Sequence, residues 1–378
     1  MAGQTPPPTM KAQTLTAFNT PYTPATLPTP LPTAPYDLLI RVSAASYCHT
    51  DAVLAAGQMP PFPTSFPHIG CHEFAGTILS LPANSTSPYP VGTRLGVPGR
   101  SFHPCGTCSD CASGPTAGNP DADPPGYSVY CPSATNHGIS GPGGFQEYAV
   151  VDWRQVAVIP EGMSDAEAAT MMCAGLTIYA AIKRCGLERG ERLGIMGAGG
   201  GLGHIGVQFA ERVFGLRVVG VDVKDGPLGL AREVSGGEVR VVDGRVEGAE
   251  EVVASLGEED GRVGGERGVD AVIILPESQR AFEYGMGLLR NHGKCVVVSF
   301  PKEGFKFQAG DVVFRDIQIV GSLVGSNKVL REMLEKAAEH GVKPRIKTYP
   351  LSGLNRLVED YHKMEGGKLV VDMSLPDE

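Results

Sequence analysis

A glycine-rich turn constrains the second half of this chain more than any other feature. The segment over residues 195–205 carries Gly197, Gly199, Gly200, Gly201 and Gly203 around Leu202, between an apolar run and a helical run over 207–213. So many glycines suit a backbone that turns tightly and lies close against something else. A strand that ends in such a turn and feeds a helix makes an anion site, because the first helical amides face outward and the helix dipole favours negative charge. Gly197, Gly200 and Gly203 give G-x-x-G-x-x-G, one residue longer in the turn than the strict G-x-G-x-x-G fingerprint. A strand ending in Asp222 follows, 19 residues after Gly203. A carboxylate there accepts both ribose hydroxyls of a dinucleotide and repels a 2′-phosphate. The turn is read as a dinucleotide site that prefers NAD to NADP, with Lys224 and Arg217 as nearby cations working against that preference.

The surroundings agree. Residues 192–196, 217–222, 239–242, 271–275, 294–300 and 317–321 read as strands separated by helical connections, the pattern of a parallel sheet covered on both faces. A helix is predicted over 165–183, with Ser164 as its N-cap. A further helix (328–340) and two short strands (345–349 and 368–373) complete the chain, while 247–267 reads as a solvated helix end and loop.

The first third is different. Of 31 prolines, 22 lie in residues 1–125. Proline lacks a backbone donor and is excluded from helix interiors and central strands, so this part is loop-rich with short β pieces, among them 38–42 and 74–79. Residues 1–10 read as a frayed start and 112–130 as an exposed loop. The 378 residues suit two domains. A net charge of −9 argues against a nucleic-acid partner, and no apolar run approaches the ~20 residues of a membrane span. With no signal-peptide pattern, the expected location is the cytoplasm.

Nine cysteines in a reducing compartment read as metal ligands or thiols before disulfides. Cys105, Cys108 and Cys111 stand at C-x2-C-x2-C spacing, which lets successive thiolates converge on one tetrahedral ion; Cys131 closes the set. This predicts a structural four-cysteine zinc site, in preference to loose surface thiols or an iron–sulfur cluster.

Two further pieces, Cys48-His49-Thr50-Asp51 and Gly70-Cys71-His72-Glu73, say little alone, and Cys173 in isolation would be an ordinary buried thiol. Together with the four-cysteine lobe, the stretch 143–148, Cys173-Ala174-Gly175, the glycine turn, Asp222, 319–325 and 367–372, the chain resembles the zinc-dependent alcohol dehydrogenases of the medium-chain dehydrogenase/reductase family, from about Met10 to Met373. The resemblance implies an α/β protein: a GroES-like, partly barrel-shaped catalytic domain (1–162 and 325–378) and a doubly wound Rossmann NAD-binding domain (163–324). It implies two zinc ions per chain and NAD. Cys48, His72 and Cys173 would bind catalytic zinc, and Glu73, behind the metal, would swing in as a transient ligand. Asp51 would orient His72, Thr50 would take the substrate proton, His49 and Lys368 would lie at the cofactor phosphates, and Thr177 would pack against the nicotinamide. Zinc would polarise the oxygen of a small alcohol, aldehyde or ketone while hydride passes to or from NAD.

Several positions depart from the family pattern. Val53 stands where many relatives carry the outer histidine of a proton relay, Cys71 replaces a glycine, and Lys368 replaces an arginine and loses its bidentate fork. Cys71 is read as packing, and Cys185 and Cys295 as buried thiols. Positions that hold tryptophan in small-alcohol relatives fall at Ala55, Met59 and about Arg100, while the sole tryptophan, Trp153, lies elsewhere. That implies a pocket roomier than ethanol needs, one that would suit a secondary-metabolic substrate. The alternatives are a zinc-free reductase of C=C bonds or quinones from the same superfamily, and a non-catalytic cofactor-binding relative; both are expected to lose catalytic ligands, and none is lost. Residues 317–320 are an edge-strand candidate for a homodimer or homotetramer.

Overall fold

The computed structural model describes residues 5–117 and 119–377. The expectations for residues 1–4, and for Gly118 within the predicted exposed loop, fall outside them.

Six strands form an all-parallel sheet in the order Val239–Asp243, Arg217–Asp222, Arg192–Met196, Val269–Ile274, Leu289–Val297, Gln318–Gly321. Numbered along the chain this is 3-2-1-4-5-6, so the strand order reverses beside Arg192–Met196, where a doubly wound sheet opens its ligand crevice. The central strands are apolar and buried on both faces, as helix cover on both sides requires. Gly197 leaves the first strand at φ +81°, a left-handed conformation that favours glycine. A Cβ on Gly199 would fall on the Pro227 carbonyl oxygen.

The second sheet runs Ile346–Tyr349, Lys368–Asp372, Asp37–Tyr47, Glu73–Ser80, Arg94–Pro98, Ala157–Val158, with Tyr148–Asp152 also pairing with Asp37–Tyr47. It therefore combines strands from both ends of the sequence around the parallel domain. Asp37–Tyr47 is its axis, bent by register shifts at Leu39/Ile40 and Val42/Ala44. A core of Leu38, Ile40, Phe74, Ile78, Val97 and Phe145 fills its interior.

Four readings need correction. Residues 1–10 are not all frayed: Thr9–Thr14 pairs with Thr23–Pro28, and Met10 is buried. The 112–130 loop is polar but docked: Asp123 and Tyr127 are buried, and Asp121 pairs with Lys183. The 247–267 stretch contains a full helix, Ala249–Asp260, anchored by Val252 and Leu256 four residues apart on one face. The helix over 165–183 exists and has its capping box, Ser164 with Glu167. It widens, however, to a π turn at Met171–Gly175 before resuming as Leu176–Cys185.

Gly199→Ala is expected to lower the thermal unfolding midpoint by several degrees in a calorimetric scan, because overpacking against a fixed carbonyl costs about 1–3 kcal/mol.

Candidate active site

Cys48 directly follows the axial strand and caps the helix His49–Ala55. Asp51, third in that helix, accepts the Cys48 amide on Oδ2 at 2.9 Å. Its other oxygen accepts the Cys71 amide at 3.1 Å and lies 3.3 Å from His72 Nδ1. His72 immediately precedes Glu73–Ser80. Cys173 arrives from the π turn, a distortion that recurs at functional sites. The donor atoms of Cys48, His72 and Cys173 lie within 4.8 Å of one another.

His72 Nε2 is buried without a hydrogen-bond partner among the described residues. A buried polar atom left in that state is costly. An imidazole nitrogen and two sulfurs that converge on one point form the donor set of a catalytic zinc with one position open. The electrostatics agree. A hydrogen bond with Cys173 draws the Cys48 thiol well below the ordinary range, and the same contact, with burial, pushes Cys173 up. Burial opposes a cation on His72, but the charges of Asp51 and Cys48 outweigh it and raise its pKa. A cation between these groups relieves all three.

Glu73 is fully buried and lies outside that donor triangle. Its Oε1 accepts from Ser46 Oγ at 3.0 Å and pairs with Lys368 Nζ, and its Oε2 accepts the Ala174 amide at 3.2 Å. Burial pushes the carboxyl up to about 7 against the pull of Lys368. Burial likewise works against the lysine's charge, and Glu73 more than restores it. The expected swing of Glu73 toward the metal would break this pairing. Lys368 also donates to the Tyr47 carbonyl at 2.9 Å. Its ammonium is therefore turned to Glu73, and only its aliphatic stem lies beside Gly201.

The second cysteine set also converges: Cys105, Cys108, Cys111 and Cys131 place their sulfurs within 4.8 Å of one another. Three amides of the lobe point back at its sulfurs, from Cys105 to Cys131, Cys108 to Cys105 and Cys111 to Cys108. The Thr107 and Cys108 amides lower the Cys105 thiol to about 6, which favours the thiolate a metal needs. Cys71 points elsewhere, its thiol donating to the Ser46 and Glu73 carbonyls, and Cys185 and Cys295 are buried.

The three donors open onto a cavity of about 300 Å³ between the two sheets. Thr50, Thr177 and Leu202 line it, as do Met59 and Arg100, while Ala55 does not. Thr177 Oγ1 lies 3.9 Å from Cys173 Sγ. His49 stands at its rim, with Nδ1 2.9 Å from Tyr361 Oη and Nε2 3.4 Å from Glu277. Along the cofactor side, Asp222 Oδ2 accepts the Gly199 amide at 3.0 Å, so carboxylate and glycine turn are physically joined. Gly200 and Gly203 pack on the Gly197 carbonyl. Sequence reasoning missed Tyr361, Glu277 and the Lys368–Glu73 pair. No short motif marks them, because each meets the site from a distant segment.

A family model described as the alcohol dehydrogenase GroES-like domain matches residues 34–161, and one described as zinc-binding dehydrogenase matches 201–339. An alcohol dehydrogenase of Geobacillus stearothermophilus is 35% identical over 319 residues, 84% of this chain and 86% of that protein. Among solved structures, the alcohol dehydrogenase of the hyperthermophilic archaeon Aeropyrum pernix aligns with TM-score 0.82 and 27% identity over 96% of this chain and 99% of that one. An acetophenone reductase from Geotrichum candidum, solved with NAD, shares the fold at TM-score 0.78 and 24% identity, over 98% of each chain.

Elemental analysis is expected to find two zinc per chain, falling to one in Cys48→Ala with the four-cysteine lobe still loaded. Lys368→Met should lower stability by about 3–5 kcal/mol, because it strands a buried carboxylate. Adding Glu73→Gln should recover most of that loss in thermal unfolding.

Proposed function

The chain belongs to the zinc-binding, medium-chain alcohol dehydrogenase family, and from that premise we propose that it moves hydride reversibly between an alcohol and NAD, giving an aldehyde or ketone. The observation that carries this reading is the convergence of Cys48, His72 and Cys173, with His72 Nε2 unpartnered, on a cavity also lined by Leu202 of the glycine turn. The bound groups supply the chemistry: zinc polarises a substrate oxygen and the nicotinamide takes or returns hydride.

The chain's own residues set the geometry. Cys48, His72 and Cys173 would hold the metal. Asp51 lies against His72 Nδ1 and would take its N–H, leaving the Nε2 lone pair on the side of Cys48 and Cys173 for a metal. Glu73 stays back against Lys368 and the Ala174 amide, which sets the π turn that carries Cys173. Thr50 Oγ, on the cavity wall, receives the substrate proton. With Val53 in place of a relay histidine, His49 between Tyr361 and Glu277 is the outward acceptor. Thr177 seats the nicotinamide. Met172, Leu275 and Val298 give the cavity apolar walls that exclude water.

Asp222 accounts for the preference for NAD, and Gly197 to Gly203 for the pyrophosphate. The boundaries 1–162 with 325–378 and 163–324 belong to the same reading, as do a cytoplasmic location and assembly of two or four copies. No helix among the described residues is long and apolar enough to cross a membrane. The outermost parallel strand, Gln318–Gly321, with exposed Val313, Phe314 and Leu323 nearby, is the surface assigned to a second copy.

An NAD- and NADP-linked screen over alcohols and carbonyls of graded size tests this. Oxidation of bulky primary alcohols with NAD at a higher kcat/KM than ethanol is expected. Asp222→Ala should raise the KM for NAD about tenfold and narrow the gap to NADP. A wild-type enzyme inactive with every alcohol and carbonyl, yet loaded with two zinc, would overturn the reading.

A further inference from the structure

His204 directly follows the last glycine of the turn and is fully buried. Its Nδ1 donates to the Gly200 carbonyl, inside the turn, at 2.8 Å. Its Nε2 accepts the amide of Arg345, from the last segment of the chain, at 3.0 Å. A carbonyl only accepts and a backbone amide only donates, so these two partners fix the tautomer. Burial pushes the ring's pKa down to about 4, so the imidazole is neutral at pH 7 and keeps both bonds.

The connection does not stop at Arg345. The Arg345 carbonyl accepts the amide of Lys368 at 2.9 Å, where Ile346–Tyr349 meets Lys368–Asp372. Lys368 Nζ pairs with Glu73 Oε1, and Glu73 Oε2 accepts the Ala174 amide beside Cys173. An unbroken run of hydrogen bonds thus leads from the glycine turn to a candidate metal donor. The same helix also carries ties that do not touch the turn. Gln208 clasps Lys343, donating from Nε2 to its carbonyl at 2.8 Å and accepting its amide on Oε1 at 3.2 Å. Arg212 donates to the Gly341 carbonyl at 3.0 Å. Of these three side chains, His204 alone bonds back into the glycine turn among the described residues.

We propose that His204 is a positioning residue that couples the two sites: it ties the Gly200 carbonyl of the cofactor turn to the strand that holds Lys368, so that a dinucleotide seated in the turn steadies Glu73, Ala174 and the Cys173 donor. Coupling of this kind is reciprocal, and a metal at Cys173 steadies the turn by the same factor. This rests on the dehydrogenase reading for what occupies the two ends; the link between them is a separate property of the chain.

The test uses ADP-ribose, which keeps the pyrophosphate and lacks the nicotinamide, so that it fills the turn without reaching the metal. The zinc affinity of the catalytic site is read by competition with a chelator, as the component missing from Cys48→Ala, with and without ADP-ribose. In wild type, ADP-ribose should tighten zinc about fivefold or more, and stripping that zinc should weaken ADP-ribose by the same factor in a calorimetric titration. His204→Asn can keep the bond to Gly200 but is too short for Arg345. It should still bind both ligands, with each factor brought close to one. His204→Gln keeps the opposite bond, should behave alike, and guards against an Asn variant that fails to fold. Gln208→Leu cuts a tie that does not touch the turn and should keep the wild-type factor even where its unfolding temperature falls. Full coupling in both His204 variants would mean that it runs through the Lys368 stem beside Gly201, and overturns the proposal. An equal loss in Gln208→Leu, the mark of general loosening, also overturns it. If wild type binds no ADP-ribose, the dinucleotide reading fails and the proposal with it. If it binds ADP-ribose and zinc with no mutual effect, the proposal alone fails and the dehydrogenase reading stands.

Discussion

One buried carboxylate holds the centre of this protein together. Asp51 binds the amide that carries Cys48, the amide of Cys71 and the imidazole of His72. Two of the candidate metal donors, one just after a strand and one just before another, thus share a single anchor. The anchor costs little backbone, because Asp51 is the third residue of a helix whose cap, Cys48, directly follows the axial strand. Removing its side chain would free the Cys48 cap, the Cys71 turn and the His72 tautomer at once.

The third donor needs its own anchor, since Cys173 comes from a helix leading toward the parallel sheet. Glu73 provides it. Its carboxylate takes the Ala174 amide within the π turn and is itself a chain neighbour of His72. A straight α-helix would rotate Cys173 by its regular increment; the wider turn lets the amide beside it reach out of the helix. Asp51 and Glu73 therefore knit three distant segments into one coordination geometry. Lys368, from the last strand of the catalytic sheet, neutralises Glu73 and brings a fourth segment to the same point.

What the sequence makes legible follows from how local each signal is. The strands Arg192–Met196 and Arg217–Asp222 are evident because apolar runs bounded by glycine and charge need no distant partner to be recognised. The capping box at Ser164 and the thiol spacing of 105, 108 and 111 are equally local. The π turn inside the predicted helix is not, for the contact that meets it, the Ala174 amide on Glu73, spans 101 positions. The docking of the 112–130 loop has the same character. Its polar residues suit water as well as they suit Lys183 and the helix end at Asn327, and only the fold brings those partners near. Lys368 is legible as a cation standing where the family pattern has an arginine, but its attachment to Glu73 depends on the antiparallel register of Lys368–Asp372 with Asp37–Tyr47.

Lys368 and Arg100 make an instructive contrast. Both are cations buried within reach of the metal donors, and both stand where the family pattern led to a different expectation. Lys368 meets a full complement: a carboxylate, a backbone carbonyl and a closed environment. Its role is internal, and the protein's stability depends on it. Arg100 has similar burial without the complement: Nε and Nη1 are buried with no partner among the described residues, and Nη2 turns to Asn327 Oδ1. The same physics thus governs both cations, met in full within the chain in one case and only in part in the other.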